Sequence, residues 1–501
     1  MASCAVLQLL HGYHFLYISQ EHMFLQDRGY ILDNLFSMGG LSRLLSDALA
    51  QSWCKPYVAP VSLSLVLLLT GLFTQGYFSR TFPGRRVTLL ALIPVVILFF
   101  LSYKDGFDLP LIASFFLVSL FLAVFSRLKN SGGRLVFFII GLAVLIPAAG
   151  WPSALFALGA FFSYVTVEGG LRLNLRFPAA LVVILQLILL LVSGFFAFRA
   201  SKGQDDLFKE LDYHMYMDEP DKVLEVLAKS DRDNFVYENF ANWALARKGL
   251  LTENLFSYPQ HNPYSLTLEW KEIKYTAVLL SNIYWSMGHT ALSQRMAFEA
   301  NVCYDNCNPR MLQRLVGTNL ANGNYAVARK YIERLAKSRP YRRWAEGMRQ
   351  FLDNPSAIRS DAVLGPAVRG IPEENALCES KGDICWDLLR ITRSDPSNTI
   401  ARDYAGAWML LAKDMDSFLP YLEEFFDGKK LPKSFAEAVM ILSEGHPDLV
   451  ERWGIEQAVI SRYAGFKEFY SQNAKSQDIK QKMRREFGDT YWNYFLFNKV
   501  E

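Results

Sequence analysis

The sequence predicts an all-α protein: a polytopic transmembrane helical domain followed by a soluble, tetratricopeptide-like helical-repeat domain. Three observations carry this reading. Six apolar segments follow one another between Tyr57 and Phe198 with no charged residue inside any of them. Beyond Arg199 the chain turns charged and aromatic-rich, with apolar residues at helical spacing and no sustained period-two alternation. A pattern of small and apolar residues then recurs about 35 residues on, from Gly288 to Gly323. At 501 residues the chain has room for both parts.

Residues 1–56 are expected to hold a short first transmembrane helix and an external loop. The apolar stretch Ala5 to Ile18 lacks the basic leader of a signal peptide. His11 and His14 lie three apart within it, but with no further ligands nearby they read as a polar interruption, and no metal centre is expected. After Gly39-Gly40, the residues Leu41, Leu44, Leu45, Ala48 and Leu49 fall on one side of a helix, with Ser42, Arg43, Ser46, Asp47 and Gln51 on the other. Between the interfacial aromatics and the spans, this amphipathic helix is expected to rest in the membrane surface.

The spans of the domain 57–198 are read as Tyr57 to Tyr77, Val87 to Tyr103, Leu109 to Phe125, Leu135 to Gly150, Pro152 to Thr166 and Phe177 to Phe198. A helix needs roughly 17 to 25 apolar residues to cross the hydrocarbon core, and the fourth and fifth fall slightly short of that. Arg80, Arg85, Arg86, Arg127, Lys129, Arg134, Arg172 and Arg176 lie in alternate loops, while the intervening loops hold Lys104 alone. Basic loops stay cytoplasmic, so residues 199–501 are expected outside the cytoplasm, on the periplasmic face of a bacterial inner membrane. Within the spans no ionisable residue is buried, which leaves a transporter without support.

Residues 199–501 carry 40 basic and 42 acidic residues, a balance that gives no reason to expect nucleic acid. Leu280, Ser281, Tyr284, Gly288 and Ala300, and then Leu315, Gly323, Ala328, Ile332 and Pro340, fall at positions that resemble the tetratricopeptide pattern. Such units stack and offer a groove, expected here around Tyr284 and Asn319, to a protein or peptide partner. Two stretches interrupt the helical pattern: Tyr258 to Tyr264, which contains His261, and Pro355 to Cys385. Cys303, Cys307, Cys378 and Cys385 are disulfide candidates in an oxidising compartment, Cys378 with Cys385 being the easiest local pair, and their spacing does not match a zinc site.

Two functions fit this plan. The first is an integral membrane scaffold or interaction protein of the cell envelope. The second is a membrane glycosyltransferase using a lipid-linked sugar, with Glu21, Asp27 or Asp33 of the external loop as catalytic acid; only then is a divalent cation expected as cofactor. Membrane lipid is a partner in both.

Glu21 with Phe24, the Gly39-Gly40-Leu41 turn, the spans, the helical tail and the terminal Phe487-Gly-Asp-Thr-Tyr-Trp492 run together resemble a family of uncharacterised polytopic membrane proteins of Gram-negative gut bacteria. The resemblance implies the same two-part architecture and no assigned activity. It also implies that this chain begins within the family's usual first span.

Overall fold

The computed structural model describes residues 12–55, 57–82, 88–167, 179–200, 206–230, 233–271, 273–372 and 384–499. Cys4, His11, Arg85, Arg86, Arg172, Arg176 and Cys378 lie outside the described residues. Among the described residues every regular element is a helix. The chain divides into two compact units, Met1–Glu210 with Arg334–Arg343, and Leu211–Glu333 with Trp344–Glu501.

In the first unit α1 covers residues 12–18, α2 is Arg28–Leu35, α3 Gly40–Gln51, α4 Val58–Thr81, α5 Leu92–Leu101, α6 Pro110–Phe125, α7 Ser131–Ala149, α8 Ser153–Val167 and α9 Ala179–Ala200. Among the described residues, three helices are long and apolar enough to cross a membrane: α4, α7 and the stretch Ala180–Ala200 of α9. The other three expected spans form shorter apolar helices, Leu89–Leu101, Pro110–Phe125 and Ser153–Thr166. A turn at Gly106, whose φ is 69°, follows the second, and Gly150, whose φ is 70°, precedes the fifth.

Helix α6 is central and packs against α3, α4, α7 and α8. Small residues permit the approach: a Cβ on Gly141 would fall 2.8 Å from Phe156, and one on Gly159 would fall 2.6 Å from Leu122. On the outside, Val61, Leu65, Leu68 and Leu72 of α4 and Leu135, Val136, Ile139 and Ile140 of α7 are exposed. Apolar surface that continuous is unstable against water.

Helix α3 buries part of both expected stripes. Ser42, Ser46, Asp47 and Gln51 are buried together with Leu44, whereas Leu45 and Ala48 are exposed along with Arg43. Ser114 Oγ of α6 lies 2.9 Å from Ser42 Oγ and 3.0 Å from the Ala149 carbonyl, and Gly39 N donates to the Pro147 carbonyl at 2.8 Å. The polar stripe thus supplies hydrogen bonds to neighbouring helices instead of contacts to water.

Helix α10, Asp206–Tyr216, runs from the first unit into the second. There follow α11 Pro220–Ala228, α12 Phe235–Arg247, α13 Leu251–Asn254, α14 Lys274–Ser286, α15 Thr290–Cys303, α16 Pro309–Ala321, α17 Tyr325–Ala336, α18 Arg342–Met348, α19 Pro355–Ser360 and α20 Leu364–Arg369. The last are α21 Ile384–Ser394, α22 Thr399–Ala412, α23 Met415–Phe425, α24 Lys433–Leu442, α25 Leu449–Arg452, α26 Gln457–Asn473, α27 Ile479–Phe487 and α28 Tyr491–Phe497. The stretch from Pro355, expected to be irregular, therefore contains α19 and α20.

One turn recurs between successive helices. A residue with positive φ follows the helix, and the next amide bonds the carbonyl five residues back. Leu250 N reaches Leu245 O at 2.8 Å after Gly249, His289 N reaches Tyr284 O at 2.9 Å after Gly288, and Asn324 N reaches Asn319 O at 2.8 Å after Gly323. At Gly288 the need is double, because a Cβ there would also lie 2.8 Å from Asn398 Nδ2.

The aromatic C-terminal run forms α28 and is buried within the second unit. Tyr491 N donates to Glu437 Oε2 and Trp492 Nε1 donates to the Glu437 carbonyl, both at 2.7 Å, and Tyr494 Oη donates to the Leu411 carbonyl at 2.7 Å. Burial pushes the Glu437 carboxyl up to about 7, against which the Tyr491 amide acts. A raised acid binds its proton more tightly folded than unfolded, so its stabilising contribution is complete below about 4.5 and is lost as pH rises through about 7. Replacing Glu437 by Gln keeps the acceptor and removes the titration. In thermal melts the E437Q variant should match the parent at pH 5 and exceed it at pH 8 by on the order of 1 kcal/mol or more. An unchanged difference between the two pH values would contradict this assignment.

Candidate functional site

Asn282, Trp285 and Ser286 on α14, and Arg310, Gln313, Arg314 and Gly317 on α16, are spaced so that each set shares one side of its helix. They line a cleft of about 870 Å³ within the second unit. Tyr216, Trp243, Trp344 and Phe351 add aromatic wall, and Asp361, Arg369 and Asp395 add charge. That volume suits a small ligand or a short peptide segment, whose pockets run from roughly 300 to 1,000 Å³. Gly317 makes room for the indole: a Cβ there would sit 3.3 Å from Trp285.

Four arginines line the cleft, and three have a carboxylate. Arg310 Nη1 lies 2.7 Å from Asp212 Oδ2, both side chains almost wholly buried, and its guanidinium also covers the Tyr216 ring at 4.4 Å. Arg247 grips Asp218 through Nε and Nη2 at 2.9 and 2.5 Å. Arg369 Nε lies 3.1 Å from Asp395 Oδ2.

Arg314 differs. Its Nη2 donates to Asn282 Oδ1 at 2.9 Å, and its guanidinium lies over the Trp285 ring at 4.5 Å. Among the described residues no carboxylate pairs with it. Arg314 Nε and Asn282 Nδ2 are buried without a hydrogen-bond partner. Burial, with the like charge of Arg310 behind it, lowers the Arg314 guanidinium to about 9, still protonated at neutral pH. A desolvated cation with no counter-charge is unfavourable unless something else supplies the anion.

The expected groove residues Tyr284 and Asn319 lie on α14 and α16 but do not line this cleft. Tyr284 is buried against His289, with ring centroids 6.0 Å apart. Asn319 is buried, accepting from Gln294 Nε2 at 3.1 Å and donating to Leu315 O at 2.7 Å. Both positions serve packing between helices, and the cleft is built by neighbours one turn away or less. A pattern of residue types could not say which side faces the opening; the signal was the run Arg310, Arg314 and Gly317 at helical spacing beside Trp285.

The three candidate acids Glu21, Asp27 and Asp33, all before α3, are not drawn into one site. Asp27 caps α2, accepting from Tyr30 N at 3.3 Å, and pairs with Lys337 at 2.8 Å; the Lys337 hydrogen bond holds its carboxyl below the usual range. Asp33 is exposed on α2, and Glu21 is half-buried before it. None of the three lines the cleft. The acid that does gather partners there is Asp47, which accepts from Tyr30 Oη at 2.7 Å and lies 2.8 Å from His22 Nδ1. His14 is likewise engaged, with Nε2 3.0 Å from the Ser102 carbonyl and Nδ1 2.8 Å from Lys209 Nζ, as suits a neutral structural imidazole.

Cys303 carries an exposed free thiol at the end of α15 and Cys307 is half-buried four residues on, so no Cys303–Cys307 bond is formed. The turn between them holds Asp305 and Asn306, both at positive φ. Cys385 is buried on α21, and its expected local partner Cys378 lies outside the described residues. Asp233, Glu238 and His261 bring possible metal-ligand atoms within 4.8 Å of one another. His261 Nδ1 lies 2.5 Å from Glu238 Oε1, and its Nε2 lies 3.8 Å from Asp233 Oδ1.

Comparison with protein families matches residues 1–204 and 172–498 to one family, described as a family of unknown function (DUF6057). No curated protein and no solved structure matches the chain.

The buried and exposed ion pairs of the cleft differ in worth. Changing Asp212 to Asn leaves Arg310 buried beside a neutral group, and denaturant melts should show a loss of about 3 kcal/mol or more. Changing Asp218 to Asn at the exposed Arg247 pair should cost less than about 1 kcal/mol. Equal losses would contradict the different burial of the two pairs.

Proposed function

The chain belongs to the family of unknown function DUF6057, a membership that brings no activity with it, and on the geometry we propose a membrane-anchored interaction protein of the bacterial envelope. The apolar helices α4 to α9 hold it in the inner membrane, and the helical-repeat, tetratricopeptide-like unit stands on the periplasmic side and takes a protein partner. The observation that carries this reading is the aromatic and arginine-lined cleft of about 870 Å³ between helices of the second unit. Recurring turns at Gly249, Gly288 and Gly323 support the repeat character, and the outward apolar faces of α4 and α7 support the anchor. The acids Glu21, Asp27 and Asp33 belong to the loop's own structure in this reading, so it involves no transferase chemistry.

Two exposed thiols test the topology. With six spans from α4 to α9, Cys54 and Cys303 lie on the same outer side. Single-cysteine variants retaining either one should both react with an impermeant maleimide in intact cells. Labelling of only one would require an odd number of crossings, and protection of both would put the repeat unit in the cytoplasm. A photo-reactive p-benzoylphenylalanine tests the partner. Placed at position 344 in the cleft it should form a discrete protein adduct in cells, while at the exposed position 327 of α17 it should not. No adduct at 344, or the same adduct at both positions, would sink the interaction reading.

A further inference from the structure

The cleft carries enough chemistry to name what it holds. We propose that Arg314, Asn282 and Trp285 form a receptor for one carboxylate group, borne on a peptide segment beside an apolar side chain. This deepens the interaction reading and rests on it. The charge argument comes first. Arg310 pairs with Asp212, Arg247 with Asp218 and Arg369 with Asp395, while the remaining lining acid, Asp361, accepts from the Val363 and Leu364 amides, so Arg314 is the lining arginine left without an ion pair among the described residues. One unpaired guanidinium calls for one negative charge. A phosphate dianion would bring a second negative charge into a cleft that already holds Asp361, whereas a carboxylate brings only the one that the guanidinium matches.

Donor geometry agrees. Nη2 is committed to Asn282 Oδ1 and Nε is sealed from solvent, so the guanidinium meets the cleft through its remaining Nη1 edge. Trp285 holds the guanidinium face and fixes its plane, which leaves an in-plane acceptor as the ligand that fits. The rest of the wall is aromatic, with Tyr216, Trp344 and Phe351 positioned for an apolar side chain next to the charged group.

The test uses the full chain in detergent micelles and two matched probes, N-acetyl-Phe-Phe as the free acid and as its C-terminal amide, with phenyl phosphate as a third. Calorimetric titration should show the acid binding at least ten-fold more tightly than the amide and more tightly than phenyl phosphate, since a charge-assisted hydrogen bond contributes about that ratio or more. Arg314→Gln should abolish the preference for the acid. Asn282→Ala, which keeps the charge and loses only its support, should reduce it, and melting curves check that each variant is folded. Acid and amide binding alike, no binding of the acid, tighter binding of phenyl phosphate, or a preference that survives Arg314→Gln would each overturn the proposal. If the acid preference fails while the adduct from position 344 persists, the carboxylate assignment falls alone. If the preference holds without any adduct, the assignment stands and the protein-partner reading falls.

Discussion

A buried charge must be matched, and the second unit is arranged around one case where it is and one where it is not. Arg310 on α16 reaches Asp212 on α10 at 2.7 Å, with Tyr216 one turn further along α10 packed on the guanidinium. That pair joins α10 to α16 and places a neutralised cation one turn from Arg314. Arg314, four residues along, is partly buried and pairs with no carboxylate among the described residues. Proteins seldom leave such a group alone, because desolvation of a charge costs several kcal/mol, of order, unless it is compensated. The unmatched member is the one on which the proposed binding face is built.

The first unit obeys the complementary constraint. Polar groups withdrawn from water must find partners within the protein, and apolar groups can then face outward. Helix α3 turns Ser42, Ser46 and Asp47 inward, where Ser114, His22 and Tyr30 meet them, and shows Leu45 outward. Asp27 spends its carboxylate on capping α2 and on Lys337. These are structural uses of residues that would look catalytic by type alone.

What the sequence made legible follows from which signals are local. The helical class and the length of α4 came from continuous apolar runs, and Gly288 and Gly323 marked turns because only local backbone geometry is involved. Three expected spans recur as apolar helices one or two residues shorter at one or both ends, and the breaks at Gly106 and Gly150 fall between helices as the sequence suggested. The burial of the polar stripe of α3 was not legible, because it depends on Ser114, far away in sequence. The cleft was half legible. α14 and α16 were the right helices, but Tyr284 and Asn319 pointed into the packing, and the unpaired state of Arg314 is a property of its surroundings that no spacing encodes.

An uncompensated arginine kept for binding should weaken the protein that carries it, the trade between function and stability that such sites show. The most direct measurement is therefore the thermal stability of the unliganded full-length protein with Arg314→Met, which preserves the stem packed on Trp285 and removes the charge. The account predicts a melting temperature raised by about 2 °C or more, corresponding to roughly 1 kcal/mol. A fall in melting temperature would mean that the charge is already compensated within the fold, and would contradict the claim that Arg314 waits for an anion.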